Sequence, residues 1–133
     1  MAFFGLGNML KLARQCAGPL AAEGFDIGLI NPRFFKPLDQ GAHEFFGRAA
    51  DVVVTLKDHV LTGGYGSAVL ELFNEKHVAT PVVRIGWPDQ FIEHATGVDD
   101  LRKKYGLTPE HIVTRVKAAF NGTAMVAKLT AVA

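Results

Sequence analysis

Apolar residues along this chain alternate between two rhythms: short β-type runs and longer runs with helical spacing. Ala2 to Gly5 reads as an abruptly short first strand. Gly7 and Asn8 then turn the chain into a helix on which Met9, Leu12, Ala13, Cys16 and Leu20 share one apolar face. Pro19 falls inside that helix and removes a backbone hydrogen bond, so a kink or a break near Gly18 is expected. Gly24 ends it as a left-handed cap. Phe25 to Ile30 is almost continuously apolar, the mark of a strand covered on both faces. Pro37-Leu38-Asp39 opens a helix to about Arg48, with Phe45, Phe46 and Ala49 as its core contacts. Asp51 to Leu56 is a third strand rich in β-branched residues. Lys57 to Gly64 reads as a loop, and Gly66-Ser67 starts a helix that buries Val69, Leu70, Leu72 and Phe73. Pro81 to Ile85 is a fourth strand, followed by a long loop from Gly86 to Thr96. A short charged helix spans Asp99 to Tyr105 and is closed by Gly106.

The last helix carries the clearest signals. Thr108 caps it, Pro109 is its first residue, and Glu110 complements its positive end. Ile112, Val113, Val116 and Phe120 form the apolar stripe, and Asn121-Gly122 is expected to stop it. Residues 123–133 form a small-residue tail of unknown role, for which a further helix is the favoured form. Strands alternating with helices predict an α/β three-layer sandwich with a mainly parallel sheet, one domain over residues 1–122.

Composition narrows the function. With 49% hydrophobic residues, 133 residues supply a real core without staples. Fourteen basic and thirteen acidic residues leave a net charge of +1, so there is no basic field for nucleic acid or anionic lipid. No apolar run reaches the ~20 residues of a membrane span. The first residues lack the basic and apolar regions of a signal peptide. Cys16 is the lone cysteine, reads as a buried thiol, and suits a reducing, cytoplasmic setting.

Candidate chemistry concentrates at two places. Thr62-Gly63-Gly64-Tyr65-Gly66-Ser67 joins a strand to a helix, where glycines permit close backbone approach and the free N–H groups of a helix N-terminus can hold an anion. It lacks both the Walker ending and the dinucleotide order of glycines, as does Gly5-Leu6-Gly7-Asn8, so each reads first as a tight turn. Ser67 is outside a nucleophile elbow, which argues against a hydrolase. His43, His59, His77, His94 and His111 show no helical metal-pair spacing. His43 and His111 read as solvated helix residues. His59 and His94 fall in loops at the carboxyl ends of strands, where open α/β sheets bind ligands. Asp58 and Glu93 stand beside them, placed to tune either imidazole.

Three blocks in order carry a resemblance. They are Ile30-Asn31-Pro32-Arg33-Phe34-Phe35-Lys36-Pro37-Leu38-Asp39; Val54 to His59 with Gly63-Gly64-Tyr65-Gly66-Ser67-Ala68-Val69; and Arg84-Ile85-Gly86-Trp87-Pro88-Asp89-Gln90-Phe91-Ile92-Glu93-His94. From Ala2 to Phe120 the chain resembles the C-terminal domain of transketolase-superfamily thiamine-diphosphate enzymes, in particular the 1-deoxy-D-xylulose-5-phosphate synthase family. Lys57-Asp58-His59 departs from that family's usual Glu-Glu-Asn/His, Pro32 from Ala, and Ala95 from Gly. The resemblance implies an enzyme that condenses pyruvate with glyceraldehyde 3-phosphate, with loss of carbon dioxide, in isoprenoid and thiamine precursor synthesis. It implies thiamine diphosphate and Mg2+ held by N-terminal and central domains, and a homodimer. It assigns no catalytic, cofactor-binding or metal-binding residue to this domain, because the Gly-Asp-Gly metal motif is absent.

Strand one of such domains begins several residues earlier, so the chain is expected to be a fragment, inactive alone, with an exposed apolar face. The expected interface residues are His59, Val60, Leu61, Gly63, Gly64, Tyr65, Gly66, Ser67, Trp87, Phe91 and His94. Two other readings stand beside this one. One is a stand-alone interaction or ligand-binding module of the same fold. The other is the equivalent domain of transketolase or of a 2-oxo-acid dehydrogenase β subunit.

Overall fold

A computed structural model describes the backbone of residues 1–94 and 96–131 and the side chains of residues 1–94 and 96–122. The elements run β1 (Ala2–Gly5), α1 (Met9–Ala22), β2 (Gly28–Ile30), α2 (Gln40–Ala49), β3 (Val53–Val60), α3 (Tyr65–Glu75), β4 (Val82–Trp87), α4 (Val98–Lys104) and α5 (Pro109–Ala131). The strands form one four-stranded sheet in the order β2-β1-β3-β4, every pairing parallel. Phe3 lies beside Val54 and Phe4 beside Thr55, which sets the register of the two central strands.

Alternation along the strands divides the core in two. Phe3, Val54, Leu56 and Ile85 face one side and meet Met9, Leu12, Cys16 and Leu20 of α1 with Ile112 and Val116 of α5. Ala2, Phe4 and Val53 face the other and meet Tyr65, Val69 and Phe73 of α3, with Phe46 of α2 packed alongside. The result is the expected three-layer sandwich. Helix ends obey local chemistry. Gly24 at φ +90° closes α1, with Phe25 N–H bonded to Leu20 and Gly24 N–H to Ala21. Gly106 closes α4 the same way through Leu107 and Arg102. The Asp39 carboxylate accepts the Ala42 N–H and caps α2.

Several expectations need correction. β3 continues through Lys57-Asp58-His59 to Val60, and β4 reaches Trp87, because the two strands pair beyond the core, across an irregularity between Leu56 and Val60. β2 is a three-residue edge strand with Leu29 exposed, so its apolar run is half covered rather than buried on both faces. α1 passes Pro19 unbroken. α2 buries His43 and Gly47 and leaves Phe45 and Ala49 exposed; a Cβ on Gly47 would stand 2.5 Å from the Phe73 ring, so the small residue marks the true contact face. Leu70 is exposed on α3. α5 runs through Asn121-Gly122 to Ala131 as one helix. Gly costs a helix only about 1 kcal/mol, and no proline follows to enforce a stop. Residues 132 and 133 of the tail, and Ala95, lie outside the described residues. Among the described residues no helix is long and apolar enough to cross a membrane.

Candidate functional site

The strand order reverses between β1 and β3, and the crevice outside their carboxyl ends is where open α/β sheets hold ligands. Here that crevice is bridged by the protein's own side chains. Asp58, near the end of β3, accepts from Asn8 Nδ2 at 2.6 Å and from Trp87 Nε1 at 2.6 Å. Arg102 of α4 adds a contact at 3.5 Å and also reaches Asp99 at 3.7 Å. Partial burial raises the Asp58 pKa, but these donors together outweigh it and hold the carboxyl below its ordinary value. One carboxylate therefore ties the turn after β1 to the ends of β3 and β4 and to α4.

The segment after β4 is fastened in the same manner. The Tyr105 hydroxyl donates to Glu93 at 3.1 Å and accepts from Gln90 Nε2 at 3.1 Å. Lys104 pairs with Glu93, and the Trp87 and Tyr105 rings meet edge to face with centroids 6.0 Å apart.

The glycine-rich turn between β3 and α3 is a packing device. A Cβ on Gly64 would sit 2.5 Å from the Val60 carbonyl, and one on Gly66 2.5 Å from Thr55 Oγ1 and 2.8 Å from Arg84 Cγ. Gly63 adopts φ +63° to make the turn. Ser67 Oγ donates to the Leu61 carbonyl at 3.1 Å and accepts from Arg84 Nη1 at 3.0 Å. Its hydroxyl is thus a clasp on the turn.

His43 overturns its reading as a solvated residue. It is fully buried, stacked on Phe4 with centroids 4.5 Å apart. Its Nδ1 lies 2.6 Å from the Asp39 carbonyl and its Nε2 2.6 Å from the Tyr65 hydroxyl. A carbonyl only accepts, so Nδ1 carries the proton and Tyr65 donates to Nε2. Desolvation lowers the His43 pKa, opposed in part by the Asp39 carbonyl and charge. Burial raises that of Tyr65. Cys16 is buried as expected, and that burial, helped by the Glu110 charge, pushes its thiol up to about 12.

The expected interface residues thus divide. His59, Gly63, Phe91 and His94 are exposed at the carboxyl edge; Val60, Leu61, Ser67 and Trp87 are half-buried there. Gly64, Tyr65 and Gly66 are buried, and Tyr65 is a core residue rather than part of an exposed face. Asp58 and Glu93 spend their oxygens on Asn8, Trp87, Arg102, Lys104 and Tyr105, not on the neighbouring imidazoles. Sequence reasoning missed Asn8, Arg84 and Arg102 as members of this edge. The one available signal was that charged residues follow an apolar strand without a break.

The family model described as the transketolase C-terminal domain matches residues 1–112. The chain belongs to that family. A 1-deoxy-D-xylulose-5-phosphate synthase from Methylacidiphilum infernorum is 50% identical over 111 residues, 84% of this chain and 18% of that protein. One from Acidobacterium capsulatum is 48% identical over 110 residues, 83% of this chain and 17% of that protein. A solved structure described as a split-gene transketolase, inactive β4 tetramer, matches with a TM-score of 0.82 at 34% identity, over 90% of this chain and 39% of that one. The chain spans less than a fifth of the length of these curated relatives.

For this transketolase C-terminal domain, the donor set decides how thiamine diphosphate and a divalent metal would fare. The carboxylate at the crevice accepts from Asn8 and Trp87 and pairs with Arg102, and no group of three His, Cys, Asp or Glu side chains converges among the described residues. These residues do not fit a diphosphate–metal site.

Proposed function

We propose that this chain is the C-terminal layer of a 1-deoxy-D-xylulose-5-phosphate synthase and is catalytically inactive by itself. The whole enzyme joins pyruvate to glyceraldehyde 3-phosphate with loss of carbon dioxide. Thiamine diphosphate and Mg2+ supply the electronic chemistry and are held by the N-terminal and central domains. This domain supplies interface and order at its carboxyl edge, through His59, Val60, Leu61, Gly63, Trp87, Phe91 and His94. Gly64, Gly66 and Ser67 shape the turn beneath them, and Tyr65 supports it from the core. The assembly is a cytoplasmic homodimer.

The observation that carries this reading is the bridged crevice. The place where a parallel sheet would receive a ligand is occupied by the Asp58 carboxylate, which accepts from both Asn8 and Trp87. Relatives at 50% and 48% identity, both so named, support the assignment to this enzyme. The split-gene relative, 39% of whose chain is matched and which is described as an inactive β4 tetramer, supports a layer that is non-catalytic without its partner domains. Titrating the chain with thiamine diphosphate and Mg2+ in a calorimeter tests it: no saturable heat is expected, and stoichiometric binding would refute it.

A further inference from the structure

Phe91 is fully exposed, yet the segment that carries it is held on both sides. On the amino side, Trp87 is bonded to Asp58. Gln90 is bonded to Tyr105, and on the carboxyl side Glu93 is bonded to Tyr105 and Lys104. A phenyl ring left wholly in water is unfavourable, and a mobile loop could fold it back onto the protein. This loop is braced instead, so the ring is presented. Pre-ordering the segment removes the entropy that docking would otherwise cost.

We infer that Pro88–His94 is a preformed docking finger whose Phe91 ring inserts into an apolar socket on the catalytic domains of the same enzyme, with Asp58 as its positioning residue. The inference rests on the reading of the chain as one layer of a longer synthase. The occupant follows from size and place. The relatives extend about fivefold beyond what this chain covers (18% and 17% of their length), so a much larger protein mass has to meet this layer. The finger follows β4 at the carboxyl edge, with exposed His94 three positions beyond Phe91 in the chain and exposed His59 on the adjoining strand β3, polar residues of the kind that surround an aromatic anchor.

The test uses this chain and a protein comprising the part of the Methylacidiphilum infernorum synthase outside the matched domain, with affinity measured by calorimetry. Phe91→Ala is expected to weaken binding about ten- to hundredfold, the range for losing one buried aromatic anchor, while leaving the melting temperature unchanged. Phe45→Ala, which removes an exposed ring from α2, is expected to bind like the parent. Asp58→Ala is expected to weaken binding severalfold and to speed amide exchange in residues 89–94. In the Phe91→Ala background Asp58→Ala should cost nothing more, which a merely structural role would not produce. If the parent chain fails to bind, the synthase reading itself falls. Parent binding that survives Phe91→Ala overturns the finger alone. So does a Phe91-dependent association between copies of this chain in sedimentation, with no such dependence toward the synthase part.

Discussion

Replacing Tyr65 with Phe removes a single oxygen from a fully buried polar contact. Both partners are fully buried, and the hydroxyl donates to His43 Nε2 across 2.6 Å. The phenyl ring keeps its edge-to-face packing on Phe35 and His43, so little apolar contact is lost. What remains is an imidazole nitrogen with no donor and no route to water. Nδ1 cannot turn to help, because the Asp39 carbonyl holds its proton. Leaving a buried acceptor unpaired costs about 1–3 kcal/mol, and about 2 is the central expectation. For a domain of this size, unfolding entropy of about 2 cal/mol/K per residue converts that into a fall of about 7 °C in Tm. Thermal melts followed by circular dichroism at pH 7.5, supported by urea titration, measure it. A shift below about 2 °C, or a more stable variant, would refute the hydrogen-bond assignment and the neutral tautomer deduced from it.

The same histidine predicts a pH response. Its folded pKa lies below its unfolded one, so the unfolded chain binds more protons as the pH falls. Its stabilisation is complete above about pH 6.5 and is lost below, at up to about 1.4 kcal/mol per pH unit. Urea midpoints between pH 7.5 and 5 should fall in the parent and stay flatter in His43→Gln; parallel profiles would contradict this. Gly66→Ala should lower stability by about 1–3 kcal/mol despite the better helix former, because the new methyl meets Thr55 Oγ1 and the Arg84 stem; an unchanged Tm would show that the turn can relax. Thr55→Val should stabilise by about 1 kcal/mol, since the Thr55 hydroxyl is buried without a partner, and a loss in urea melts would reveal a bond to it.

The stripes of α1 and α5 were legible because each lays a continuous apolar face on the same side of the sheet, and burial alone decides such patterns. The glycine-rich turn was legible as close packing for a similar reason: Gly64 and Gly66 stand where a Cβ has no room. The carboxyl edge was not. Lys57-Asp58-His59 carries the composition of a loop, and its strand form depends on pairing with β4, which no local pattern reveals. Nor was the rotation of α2. Three apolar residues argue for a face through Phe45, whereas His43 is admitted to the core by a hydroxyl 22 positions away in sequence. Polar residues made acceptable by distant partners are where local reasoning fails.

The most direct trial of the central claim is a turnover assay on the purified 133-residue chain, supplied with pyruvate, glyceraldehyde 3-phosphate, thiamine diphosphate and Mg2+. No release of carbon dioxide above the protein-free control is predicted. Sustained, enzyme-proportional decarboxylation by this chain unaided would contradict the account.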